Sequence, residues 1–116
     1  MLNNSAWDLF ELGDYSSALA YFEQARAAWI SLNRPERTLV AEWSVARCLR
    51  SLGRLDEALE MQLMLARTYE AAGTPKPNVW EEIVEILTAL GRPPEAQSYS
   101  EKLRDLTATN NSSLKD

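Results

Sequence analysis

The feature that most constrains this chain is a ten-residue join that occurs three times. "LFELGDYSSA" (Leu9 to Ala18), "LRSLGRLDEA" (Leu49 to Ala58) and "LTALGRPPEA" (Leu87 to Ala96) align without gaps and share L-x-x-L-G-[D/R]-x-x-[S/E]-A. Their glycines, Gly13, Gly53 and Gly91, lie 40 and 38 residues apart. A recurrence on this scale marks a chain built from one supersecondary unit, each copy burying its apolar face against the next.

Each piece of the join has a mechanical reason. A leucine pair three apart puts both side chains on one face at the end of a helix, and the glycine that follows adopts the left-handed conformation that stops it. Asp56, Glu57 and Glu95 then occupy first-turn positions of the next helix, where its dipole favours negative charge, and Pro93 and Pro94 stand where a missing N–H costs little. The alanine five residues after each glycine lets the two helices approach closely. Asn33, Gly73 and Asn111 each fall twenty residues after a turn glycine and suit a C-terminal cap, with "NRPER", "GTPKPN" and "NNSSLKD" following as breakers or polar stretches.

The pattern therefore predicts six helices in three antiparallel pairs. The first helix of each pair covers residues 2–12, 37–52 and 78–90, and the second covers 15–32, 55–72 and 94–109. No segment alternates with period two over a useful length, so no sheet is expected. Helix 55–72 reads as apolar nearly all round, the mark of a helix sandwiched on two sides, whereas "EAQSYSEKLRDL" carries one stripe of Ala96, Tyr99, Leu103 and Leu106. The latter fits a terminal helix that caps its own stack, with three repeats making the whole and residues 111–116 forming a flexible tail.

Composition narrows the function classes. The 116 residues contain no histidine, and Cys48 is the sole cysteine. Cys/His zinc sites, Ser-His or Cys-His catalytic pairs and an intramolecular disulfide are excluded, and a reducing cytoplasmic compartment fits. The opening "MLNNSAWDLF" lacks the basic n-region and apolar run of a signal peptide, and no window approaches the ~18 apolar residues of a membrane span. Net charge is −5 and is spread along the chain, which argues against a nucleic-acid partner because phosphates demand a basic face. Neither a phosphate-binding glycine loop nor a nucleophile motif is present, so no cofactor and no enzymatic activity are expected.

These residues resemble the tetratricopeptide repeat, a helix-turn-helix unit usually of 34 residues. Ala6, Ala46 and Val84 match its small position in helix A, Ala18, Ala58 and Ala96 match the small position opening helix B, and Tyr21, Phe22 and Ala25 complete the pattern in the first unit. The later units depart from it: Gln62 and Ser100 stand where the aromatic is expected, and Leu65 and Leu103 where the later alanine is. The spacing near 40 is similar to longer-helix relatives in bacterial regulators and in motor and polarity adaptors. The resemblance implies an all-α, right-handed superhelical stack (α-solenoid) in a single domain over residues 1–110, with repeats at about 1–35, 36–75 and 76–110.

It also implies a concave groove lined by helix A, at the positions ten, six and three residues before each turn glycine. Carried over, these are Asn3, Trp7 and Phe10, then Trp43, Arg47 and Arg50, then Glu81, Glu85 and Thr88. The functional expectation is a protein-interaction scaffold whose groove holds a peptide or helix. Trp7, Phe10 and Trp43 would be apolar anchors, Arg47 and Arg50 would grip carboxylates, and Glu81 and Glu85 would meet a basic group.

The competing expectation pairs the arginines with Glu81 and Glu85 and packs the tryptophans between units. The alternative function is a homo-oligomeric structural protein, such as a homodimer, whose exposed end face, with Trp7 and Phe10 on the first helix, pairs with a copy of itself. The family's carboxylate clamp of lysines and asparagines is not matched, since Asn3, Trp7, Ser44, Asn78 and Glu82 hold those places. Cys48 falls on the stripe of Val45, Leu49 and Leu52 and reads as inert core, Trp29 and Trp80 read as helix-end packing, and the i, i+4 pair Glu81 and Glu85 reads as a solvated face rather than an acid-base or metal pair.

Overall fold

A computed structural model of the chain describes residues 5–115. Those residues hold six helices and no strand: α1 (Ala6–Glu11), α2 (Tyr15–Ser31), α3 (Pro35–Ser51), α4 (Leu55–Ala71), α5 (Pro77–Ala89) and α6 (Pro93–Lys115). Neighbours in sequence pack on one another, α1 on α2, α2 on α3 and α5 on α6. The described residues divide into two compact units within α4, after Met61.

The turns are the repeated join in three dimensions. At the middle copy the Gly53 N–H donates to the Arg50 carbonyl at 3.0 Å and the Arg54 N–H to the Leu49 carbonyl at 2.9 Å. This is the paired bonding of a Schellman cap, and it requires a left-handed residue, here Gly53 at φ 80°. The same two bonds close the turns at Gly13 and Gly91, and also those at Asn33 and Gly73 between successive repeats. Asn33 is the one non-glycine residue at positive φ among the described residues, at 59°, which asparagine tolerates better than most.

Helix starts use different chemistry in each copy. Asp14 caps α2 by accepting from the Ser17 N–H at 3.2 Å. Arg54 instead reaches forward to Glu57 with two hydrogen bonds of 2.9 and 2.8 Å, and Arg92 does the same to Glu95. The hydrogen bonds from Arg54 and Arg92 hold those two carboxyls below the usual carboxylate range.

The small positions do what the sequence implies. Ala6, Ala46, Ala18, Ala58 and Ala96 are buried, so backbones approach where a larger side chain would hold them apart. In the first unit Leu19, Phe22, Val45 and Leu49 fill the space around them, and in the second Val79, Trp80, Ile83 and Ile86 make a separate core.

Two expectations about helices need correction. α4 is not enclosed all round: Ala58, Leu59, Gln62, Leu65 and Ala66 are buried on one stripe, while Met64 is 58% exposed. Glu60, Arg67, Thr68 and Glu70 hold the rest of its surface in water. The other concerns α6, which passes Asn111 and runs to Lys115 instead of capping there. Neither glycine nor proline occurs in that stretch to divert the chain, so the helical hydrogen bonds continue. The single stripe expected on α6 is present, with Ala96 buried and Tyr99, Leu103 and Leu106 half-buried.

Candidate functional site

The residues expected to line a groove fall in both units, and each unit carries its own set. In the first, the start of α1 is fixed by a reciprocal cap: the Ser5 N–H donates to Asp8 Oδ2 at 3.0 Å and the Asp8 N–H to Ser5 Oγ at 3.2 Å. That cap fixes where a helix only six residues long begins, with Trp7 in its first turn. From the other side, Arg26 of α2 donates from Nε to Glu42 Oε2 of α3 at 3.0 Å, next to Trp43 in the chain.

Trp7, Phe10 and Trp43 are brought together. The Trp7 ring centre lies 5.3 Å from Phe10, 4.8 Å from Phe22 and 6.1 Å from Trp43, at tilted or edge-on angles that suit aromatic quadrupoles. Phe10 stands edge-on to Tyr15 at 4.9 Å. Despite these neighbours Trp7 remains 39% exposed, while Phe10 and Trp43 are half-buried. The cluster is part core and part surface, with Phe22 its buried base.

Arg47 joins the same cluster. Its guanidinium carbon sits 4.8 Å from the Phe10 ring centre and its Nη1 donates to Ser51 Oγ at 2.6 Å. Arg50 lies half-buried in the last turn of α3, where positive charge complements the helix dipole. Asn3 lies outside the described residues. In the second unit Glu81 and Glu85 are exposed one turn apart on α5, while Glu82 beside them is buried. No group of three or more acidic, cysteine or histidine side chains suited to a metal occurs among the described residues.

Other singled-out residues take structural places. Cys48 is fully buried, and burial pushes its thiol up to about 11, the Arg47 charge opposing this in smaller measure. Trp80 is buried with the Lys102 ammonium 5.7 Å from its ring centre, and Lys102 also lies 3.6 Å from Glu70. Ser44 is buried and donates to the Val40 carbonyl at 3.1 Å.

Sequence reasoning missed a hollow of about 240 Å³ beside the aromatic cluster, walled by Trp7, Phe22, Trp29, Arg37, Val40 and Ser44 among others. Trp29 reads from the sequence as helix-end packing, and its ring also carries the Arg37 guanidinium at 5.0 Å. The i, i+3 spacing of Arg37 and Val40 on α3 was the available signal, since it puts both on one helix face.

The profile described as tetratricopeptide repeat matches residues 1–71, a span that takes in the first two copies of the join. The chain belongs to the tetratricopeptide repeat family. No curated protein and no solved structure matches it. Tetratricopeptide repeats are protein-interaction modules and are typically non-catalytic, so a cluster of half-exposed aromatics on the first tetratricopeptide helices is a candidate interaction surface. No described helix is long and apolar enough to cross a membrane.

Proposed function

We propose that this tetratricopeptide chain is a non-catalytic adaptor that holds a peptide or helix of a partner protein against the aromatic face of its first unit. Trp7, Phe10 and Trp43 supply the apolar anchors, and Arg47 and Arg50 border them with positive charge. On the second unit, Glu81 and Glu85 offer an exposed acidic strip to a basic group. The observation that carries this reading is Trp7, which keeps 39% of its surface in water while touching three other aromatic rings. Large aromatics grouped beside arginine are the side chains that dominate binding energy at interfaces. Helices held by caps and buried alanines are rigid before binding, so little ordering cost falls on this side of the complex.

The reading needs no cofactor and no nucleic-acid or membrane contact, and the buried, solitary Cys48 suits a cytoplasmic setting. Pull-down from the host lysate with quantitative mass spectrometry tests it. A partner retained by the native chain and lost on Trp43→Ala, with helicity unchanged by circular dichroism, supports the adaptor; equal recovery by both contradicts it.

The exposure of Trp7 also favours a second reading, a homodimer through α1. Light scattering separates the two, because a salt-resistant dimer that becomes a monomer on Trp7→Ala belongs to the second reading alone.

A further inference from the structure

The hollow beside the aromatic cluster differs from it in chemistry. Its walls come from α1, α2 and α3, and the polar side chains among them are Arg37 and Ser44. The Ser44 hydroxyl is turned onto the Val40 carbonyl, which leaves Arg37 as the polar side chain at its rim. Val40 is 61% exposed and Trp7 is 39% exposed, so the apolar walls reach the surface. Arg37 also borders a second recess of about 290 Å³, formed with Asn33, Arg34, Pro35 and Glu36 at the turn from α2 to α3.

Resting on the adaptor reading, we infer that these two adjoining recesses dock a partner peptide carrying an aliphatic side chain with a carboxylate close beside it. The aliphatic group enters between Trp7, Trp29 and Val40, and the carboxylate meets Arg37 and Arg34.

Size supports a side chain as the occupant: about 240 Å³ falls below the roughly 300–1,000 Å³ of pockets that enclose whole small molecules. Arg37 lines both recesses, and stacking on Trp29 at 5.0 Å orders its guanidinium in advance of an anion. Charge selects the anion. Arg34 and Arg37 against Glu36 leave one net positive charge, which matches the single charge of a carboxylate.

The test is selection of random dodecamer peptides displayed on phage against the purified full chain, repeated with Arg37→Glu, Val40→Asp and Trp43→Ala, each shown to be folded by circular dichroism. The native chain is expected to enrich peptides with Leu, Ile or Val within about one helical turn of Asp or Glu. On Arg37→Glu the acid is replaced by Lys or Arg, and on Val40→Asp the aliphatic preference disappears. Synthetic copies of the enriched peptides, followed by fluorescence anisotropy, bind each of these two variants at least about tenfold more weakly.

Failure to enrich any peptide, or enrichment without the acid, overturns the inference. So does a peptide set indifferent to Arg37→Glu and Val40→Asp but lost on Trp43→Ala, and that outcome leaves the aromatic-face adaptor standing. A concentration-dependent dimer dissolved by Val40→Asp assigns the recess to a second copy and overturns it equally.

Discussion

The Arg47 guanidinium carbon lies 4.8 Å from the centre of the Phe10 ring, so a basic residue of α3 closes onto an aromatic of α1. Both residues were expected to face a ligand, and they first of all face each other. The contact costs Arg47 little freedom, because Ser51 on the next turn of α3 already holds the same guanidinium through Nη1. A cation held over an aromatic in a partly exposed place contributes about 0.5–1 kcal/mol. A double-mutant cycle of Arg47→Met and Phe10→Leu, read by urea unfolding, is expected to give a coupling of that size. Additive single effects would show that the two residues merely sit side by side.

Gln62 is fully buried, and neither its Nε2 nor its Oε1 has a hydrogen-bond partner. It stands where the family pattern has an aromatic. Burying an amide without partners costs about 1–3 kcal/mol on protein mutational scales. Gln62→Met keeps the unbranched shape and removes the polar atoms, so it should raise the stability of the chain by an amount in that range. A lower urea midpoint for the variant would mean that the amide is satisfied in solution.

Gly53 holds φ 80° in the middle turn, and a Cβ added there meets no atom within 4 Å. Gly53→Ala therefore isolates backbone strain from crowding, with an expected loss of about 1 kcal/mol. Asn33→Gly, at the equivalent place with φ 59°, relieves a smaller strain of the same kind. Urea midpoints for the two variants should move in opposite directions.

The Cys48 thiol is raised from 9.0 to about 11 by burial. A raised pKa means that the folded state favours the neutral thiol. The associated stability is complete below pH 9 and is lost as pH rises toward 11. At pH 8 the native thiol should resist an aromatic disulfide reagent and react at once in 6 M urea. Rapid labelling of the folded chain would place Cys48 at the surface, against its complete burial.

The turns were legible because glycine at a fixed place in a leucine-flanked join has one mechanical use, and three of the five turns with the same paired bonds follow from it. Helix ends other than that of α6 came out within a few residues for the same reason. Trp7, Phe10 and Trp43 were legible as neighbours because helix A positions repeat with the turn. Local chemistry that depends on the third dimension was not: the recess beside Trp29 exists only once α1, α2 and α3 have packed, and Arg37 lies upstream of the positions that the repeat marks. Whether α4 is enclosed on two sides was not legible because apolar content says how much of a helix surface is apolar, not which side is covered. At Asn111 a residue type that often ends helices was read as an end, although no glycine or proline followed to enforce it.

The four tryptophans give the most direct test of the adaptor, because each contributes one indole N–H signal to a proton–nitrogen correlation spectrum. Trp7 and Trp43 belong to the proposed face, Trp29 to the recess beside it, and Trp80 is buried in the second unit. On titration with the partner recovered by pull-down, the indole signals of Trp7 and Trp43 should shift in a saturable way while Trp80 stays in place. A partner that binds with Trp80 moving and Trp7 and Trp43 unchanged would contradict the assignment of the interaction surface to the first unit.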